Sequence, residues 1–173
     1  MKKKLLFLSC GRSDFGLIYN VYSKFKFSKK FKSTMFCCGS IISANYGYKK
    51  SEIIQFDKEI KFFNYANDKS SEKNLIRNLY NINYKLIIYL KKNLPDLVFI
   101  LGDRIETIHL AVSIKSLNIP LAHLHGGEST KGVYDDYWRH SVSKLSNIHF
   151  VSNNKYKNNL IKMGEKKNRI YSV

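Results

Sequence analysis

The sequence predicts an α/β protein built on a doubly wound, parallel β-sheet. Two observations lead there. Short apolar runs without polar alternation, such as residues 97–101, alternate with longer segments of helical period. Strands of that kind are covered on both faces by the helices that connect them. Polar clusters rich in glycine and charge also follow three of the apolar runs directly, the place where open parallel sheets bind their ligands.

Residues 4–10 read as the first strand, 17–27 as a helix and 31–38 as a second strand ended by Gly39. A short helix over 48–55, a strand over 59–63 and a polar loop over 67–71 follow. Leu75, Leu79, Ile82, Leu86 and Leu90 recur at helical spacing, so 72–92 is a long amphipathic helix closed by Asn93 and Pro95. Beyond the strand at 97–101 come a helix over 105–116, a strand over 120–124, a helix over 135–145 and a strand over 148–151. A helix over 153–163, with Gly164 as its stop, precedes residues 169–173, which begin a further strand and mark the chain as the front half of something larger.

With 173 residues, 44% of them hydrophobic, the chain suits one domain with a true core. A net charge of +17 would fit a polyanion partner. The lysines, however, are scattered among Asn, Ile and Tyr with no helix carrying an unbroken basic face, which favours a phosphorylated substrate over nucleic acid. Cys10 and the adjacent Cys37 and Cys38 are too few and too badly spaced for a disulfide framework, so they read as reduced, buried thiols of a cytoplasmic protein. The apolar start, Leu5 to Leu8, falls short of the about 7 residues a signal peptide needs. No run approaches the roughly 20 residues of a membrane span.

Chemistry gathers at the strand ends. Gly11 and Gly16 bracket a loop that opens a helix, where unpaired N–H groups favour an anion and Arg12 adds charge; an ordinary strand-to-helix turn explains the same residues. Asp103 and Glu128 follow buried strands, positions that suit proton transfer. Asp103 equally suits the N-cap of the helix near Ile105, with Arg104 in solvent. Asp135, Asp136, Arg139 and His140 share helical spacing and fit a solvated ion-pair helix. His123, His125, Glu128 and His140 are metal-ligand types, but their spacing matches no standard zinc pattern, and no metal or cofactor is expected. Tyr137 and Trp138 read as core or loop packing.

Four segments together resemble one family: Gly11-Arg12-x-Asp14-Phe15-Gly16; Pro95-Asp96-Leu97-Val98 leading to Gly102-Asp103-Arg104-x-Glu106; His123-Leu124-His125-Gly126-Gly127-Glu128; and Asp135-Asp136-x-x-Arg139-His140-x-x-x-Lys144. The combination is similar to the hydrolysing UDP-N-acetylglucosamine 2-epimerases of sialic and legionaminic acid synthesis. That resemblance implies the Rossmann-like N-terminal domain of a glycosyltransferase-B-like, two-domain enzyme whose C-terminal domain lies outside residues 1–173. It implies a nucleotide-sugar substrate, a cytoplasmic homo-oligomer (dimer or tetramer), and elimination of the nucleotide followed by hydration. A glycosyltransferase of the same architecture is the alternative. By motif, Asp103, His125 and Asp135 match catalytic positions, with His125 standing where many relatives carry a glutamate. Gly11, Arg12, Asp14, Glu128, Arg139 and His140 match substrate-binding ones. The histidine form resembles a branch acting on bacillosamine-type sugars, and residues 1–173 alone are expected to show little turnover.

Overall fold

The computed structural model describes residues 1–43, 49–63, 72–130 and 134–173. β1 (Lys3–Ser9) organises the sheet because its unbroken apolar run serves two layers. Leu6 and Leu8 face one core, Leu5 and Phe7 the other. Helix α1 (Arg12–Lys26) returns the chain to β2 (Phe31–Cys38), which pairs with β1, and α2 (Lys50–Phe56) leads on to β3 (Lys61–Phe63) at the sheet edge. Helix α3 (Glu72–Asn93) then carries the chain back, so that β4 (Leu97–Leu101) pairs with the free side of β1. From there α4 (Ile105–Ser116), β5 (Leu121–Leu124), α5 (Asp135–Leu145), β6 (Ile148–Val151), α6 (Asn154–Lys162) and β7 (Ile170–Ser172) extend the sheet outward.

The strand order is β3-β2-β1-β4-β5-β6-β7, with every pairing parallel. The direction of winding reverses between β1 and β4, which defines the crevice where such sheets take ligands. On one face Ile82, Leu86 and Leu90 of α3 pack with Leu110, Ala111 and Ile114 of α4 and Val142 of α5. On the other, Phe15, Ile18 and Tyr22 of α1 cover Phe7, which stacks on Phe99 at 4.6 Å. Each fully buried side chain of this size contributes about 1.5–3 kcal/mol.

Two local expectations change. The first helix begins at Arg12, not Leu17, because Gly11 is its extended N-cap and Gly16 sits inside the helix with nothing near its missing Cβ. The stretch from Asp57 to Ile60 is a turn: Asp57 accepts from the Glu59 N–H (2.9 Å), from Tyr22 (3.0 Å) and from Lys26 (2.7 Å), so β3 starts only at Lys61. Tyr48 and the loop at 67–71 lie outside the described residues. Cys10, Cys37 and Cys38 are buried free thiols, as expected. Among the described residues no helix is long and apolar enough to cross a membrane.

Candidate active site

The crevice is built around a carboxylate from the first turn of α1. Asp14 is buried, with its Oδ2 lodged against Gly11 and Gly102 so closely that a Cβ on either glycine would lie 2.6 or 2.8 Å from it. Gly102 also holds a φ of +106°, a conformation open to glycine, so β4 ends in a turn no other residue makes without strain. Ser13 donates its hydroxyl to Asp14 Oδ1 (3.0 Å). Burial nevertheless pushes the Asp14 carboxyl above the usual carboxylate range, against the pull of Ser13 and Arg104. Arg104 is not simply in solvent: its Nε lies 4.0 Å from Asp14 Oδ2, and its guanidinium fills the space beside Gly11.

Asp103 does not cap α4. The N-cap is Arg104, without a side-chain cap bond, and Asp103 instead accepts from Nη2 of Arg139, a residue of α5. The Arg139 side chain is only 8% exposed and donates Nη1 to Asp136 (2.7 Å) one turn earlier. Asp136 in turn accepts from the Thr130 N–H (3.0 Å) and the Ser129 hydroxyl (2.9 Å), so it anchors the loop after β5. One guanidinium thereby ties the β4 end, the β5 loop and α5 together. The pairing within α5 is the one read from the helical spacing, whereas the bond to Asp103 is what joins that helix to the crevice.

The two histidines flanking Leu124 occupy unlike settings. His123 is fully buried; its Nε2 lies 3.4 Å from the Gly102 carbonyl and its Nδ1 3.1 Å from Ser143 Oγ. Burial pushes its pKa down to about 3, so the ring is neutral and Nε2–H donates to Gly102 while Ser143 donates to Nδ1. His125 lies past the strand end at a φ of +61°, its N–H donating to the Phe150 carbonyl (2.9 Å). Its Nδ1 is 2.7 Å from Glu128 Oε1, which also accepts from the Ser152 hydroxyl (3.0 Å). Gly127, at a φ of +74°, lets this loop press on α6: a Cβ there would lie 2.5 Å from the Tyr156 carbonyl oxygen.

A pH dependence of stability follows. His123, and His149 whose pKa burial also lowers, bind protons in the unfolded chain near pH 6.5 and resist them when folded. Their stabilising share is full above about pH 6.5 and is lost as the pH falls below it, for His123 down to about 3, at up to about 1.4 kcal/mol per pH unit for each proton. Denaturant midpoints measured from pH 7 to pH 4 should fall, and His123→Gln should flatten that fall.

Of the residues singled out from the sequence, Asp14 meets Gly11 and Gly102, Asp103 meets Arg139, and His125 meets Glu128. Arg12 is an exposed member of the first turn of α1. Asp135 is exposed at the start of α5 and its side chain forms no hydrogen bond or ion pair with the other described residues, while His140 is half-buried with Nδ1 lacking a partner. Tyr137 is 68% exposed and packs on Tyr134 in the loop rather than in the core. Two contributors went unmarked in the sequence: Ser143 and Ser152. Ser152 is the first polar residue after β6, so the strand-end rule that marked the other clusters would have found it.

A family model described as UDP-N-acetylglucosamine 2-epimerase matches residues 23–173. The chain belongs to that family. It is 33% identical, over 99% of its length, to the GDP/UDP-N,N'-diacetylbacillosamine 2-epimerase (hydrolyzing) of Campylobacter jejuni, of which it covers 45%. It is 32% identical over its whole length to the UDP-N,N'-diacetylbacillosamine 2-epimerase (hydrolyzing) of Legionella pneumophila, covering 46% of that protein. The chain thus spans about half the length of the curated relatives it matches. Among solved structures, the UDP-GlcNAc 2-epimerase of Neisseria meningitidis bound to UDP-GlcNAc superposes with a TM-score of 0.82 at 19% identity, over 98% of this chain and 46% of that one. At such identity the likeness establishes the shared Rossmann-like fold of this epimerase-family chain.

Proposed function

We propose that this chain is the N-terminal domain of a hydrolysing 2-epimerase of two-domain, glycosyltransferase-B-like architecture. Its substrate class is a UDP- or GDP-linked 2-acetamido sugar, and its products are the free 2-epimer and the nucleoside diphosphate. The observation that carries this reading is the pairing of proton-transfer groups at adjacent strand ends: Asp103 held by Arg139 after β4, and His125 held by Glu128 after β5. Elimination moves the C2 proton to a base as the C1–C2 double bond forms and the C1–O bond to the diphosphate breaks. Hydration then adds the water oxygen to C1 and a proton to the opposite face of C2. That chemistry needs two proton-transfer groups and cationic help for the departing diphosphate. In this reading Asp103 and His125 supply the first, with the Asp135 carboxylate as a third catalytic group. Gly11, Arg12 and the N-terminus of α1 receive the diphosphate, with Asp14, Glu128, Arg139 and His140 shaping the pocket.

The full-length protein incubated with UDP-N-acetylglucosamine and with UDP-N,N'-diacetylbacillosamine should release UDP and a free 2-epimerised sugar from at least one of them. A glycoside product, or neither substrate consumed, would overturn the assignment. Reading the frame beyond codon 173 for a second half of similar length tests the domain organisation independently.

A further inference from the structure

We propose that Glu128 is a positioning residue, whose carboxylate keeps the Nδ1–H tautomer of His125 and leaves Nε2 as the atom that exchanges protons with substrate. This rests on the proposed function above. An ionised carboxylate only accepts hydrogen bonds, so at 2.7 Å from Glu128 Oε1 the proton belongs on His125 Nδ1. The carboxylate is itself steered from a different element: Ser152, beyond β6, donates its hydroxyl to the same Oε1 at 3.0 Å. The chain Ser152–Glu128–His125 has the order of a base oriented by an acid that a third group orients.

The backbone supports the same conclusion. His125 stands at a φ of +61°, a conformation that costs a non-glycine residue about 1 kcal/mol or more and persists where surrounding bonds hold it. Its N–H bond to the Phe150 carbonyl does the holding. The contrast with His123 shows what the strain achieves. His123 is fully buried with both nitrogens met from inside the protein, whereas the His125 side chain is 36% exposed and commits one nitrogen to Glu128. His125 also lines a cavity of about 320 Å³ with Leu101, Leu124 and Ser152.

Among the described residues, three titratable groups are placed against His125. Glu128 comes from its own loop, Asp14 from the first turn of α1 and His123 from β5. From α1 the cavity otherwise receives Leu17, Asn20 and Val21, which do not titrate. Removing the Glu128 charge therefore takes away the anion in direct contact with the ring.

The test uses the full-length protein labelled with 15N-histidine. In the wild type above neutral pH, the His125 signals should report Nδ1–H, and Glu128→Gln should shift them towards Nε2–H. The same variant should lose about 100-fold in kcat with KM changed by less than about threefold, and the acidic limb of its kcat profile should move to lower pH. Glu128→Asp should restore part of the rate. If Glu128→Gln fails to fold, Ser152→Ala, which removes only the hydroxyl steering Glu128, should move the limb in the same direction with a smaller rate loss. An Nε2–H tautomer in the wild type overturns the proposal, as does a folded Glu128→Gln or Ser152→Ala enzyme with unchanged pH profile and tautomer. Absence of turnover on every nucleotide sugar would instead count against the proposed function, while the tautomer signals still decide the role of Glu128.

Discussion

Arg139→Met is expected to lower the unfolding free energy by about 3 kcal/mol, a fall in Tm of roughly 6–12 °C for a chain of this size. The reason is the number of parts that one guanidinium joins. Its side chain is 8% exposed, and it neutralises Asp103 and Asp136 at once. Methionine fills similar volume but leaves two carboxylates facing each other without their shared cation. Their side chains, 25% and 21% exposed, recover only part of the loss from water. Combining Arg139→Met with Asp103→Asn removes one orphaned charge, so the double variant should be more stable than Arg139→Met alone. Denaturant unfolding of the four proteins in this cycle checks the account. An Arg139→Met variant as stable as the wild type would show that the guanidinium does not tie the crevice.

Asp103→Asn is expected to act on turnover rather than on folding. The asparagine oxygen still accepts from Arg139, so stability should change by about 1 kcal/mol or less. It cannot take up a proton, and loss of a positioned acid or base costs roughly 10²–10⁴ in rate. The full-length variant should therefore retain its Tm and lose about 10³ in kcat. Wild-type kcat in this variant would remove Asp103 from the reaction.

Much of the fold was legible because burial on both faces writes a plain signal. The run at 97–101 and the leucine series of α3 needed no tertiary information, and each lies where the sequence places it. The start of α1 was not, because Gly16 looks like a loop boundary. A glycine inside a helix is a cost of about 1 kcal/mol, tolerated here because Phe15 and Ile18 bury the helix on either side of it.

The site was legible in residue type but not in pairing. The strand-end rule picked out Asp103 and Glu128 as candidates, and the family resemblance added Asp14 and His125. It carried no hint that Asp103 would meet Arg139, 36 residues away, since that contact depends on β4 and β5 lying side by side with α5 packed above. It also missed the left-handed turn at His125, which no residue preference announces. A charged residue beside a helix start is usually solvated, so the sequence places Arg104 in water. Here the missing side chain of Gly11 gives it a place against Asp14.

The most direct test of the epimerase assignment is the position of solvent hydrogen in the product. The full-length protein, given the nucleotide sugar it consumes in deuterium oxide, should release a free 2-epimer carrying one deuterium at C2, because the C2 proton leaves in the elimination and the hydration draws its replacement from water. A free sugar with hydrogen retained at C2, or a product still joined to an acceptor through C1, would contradict it.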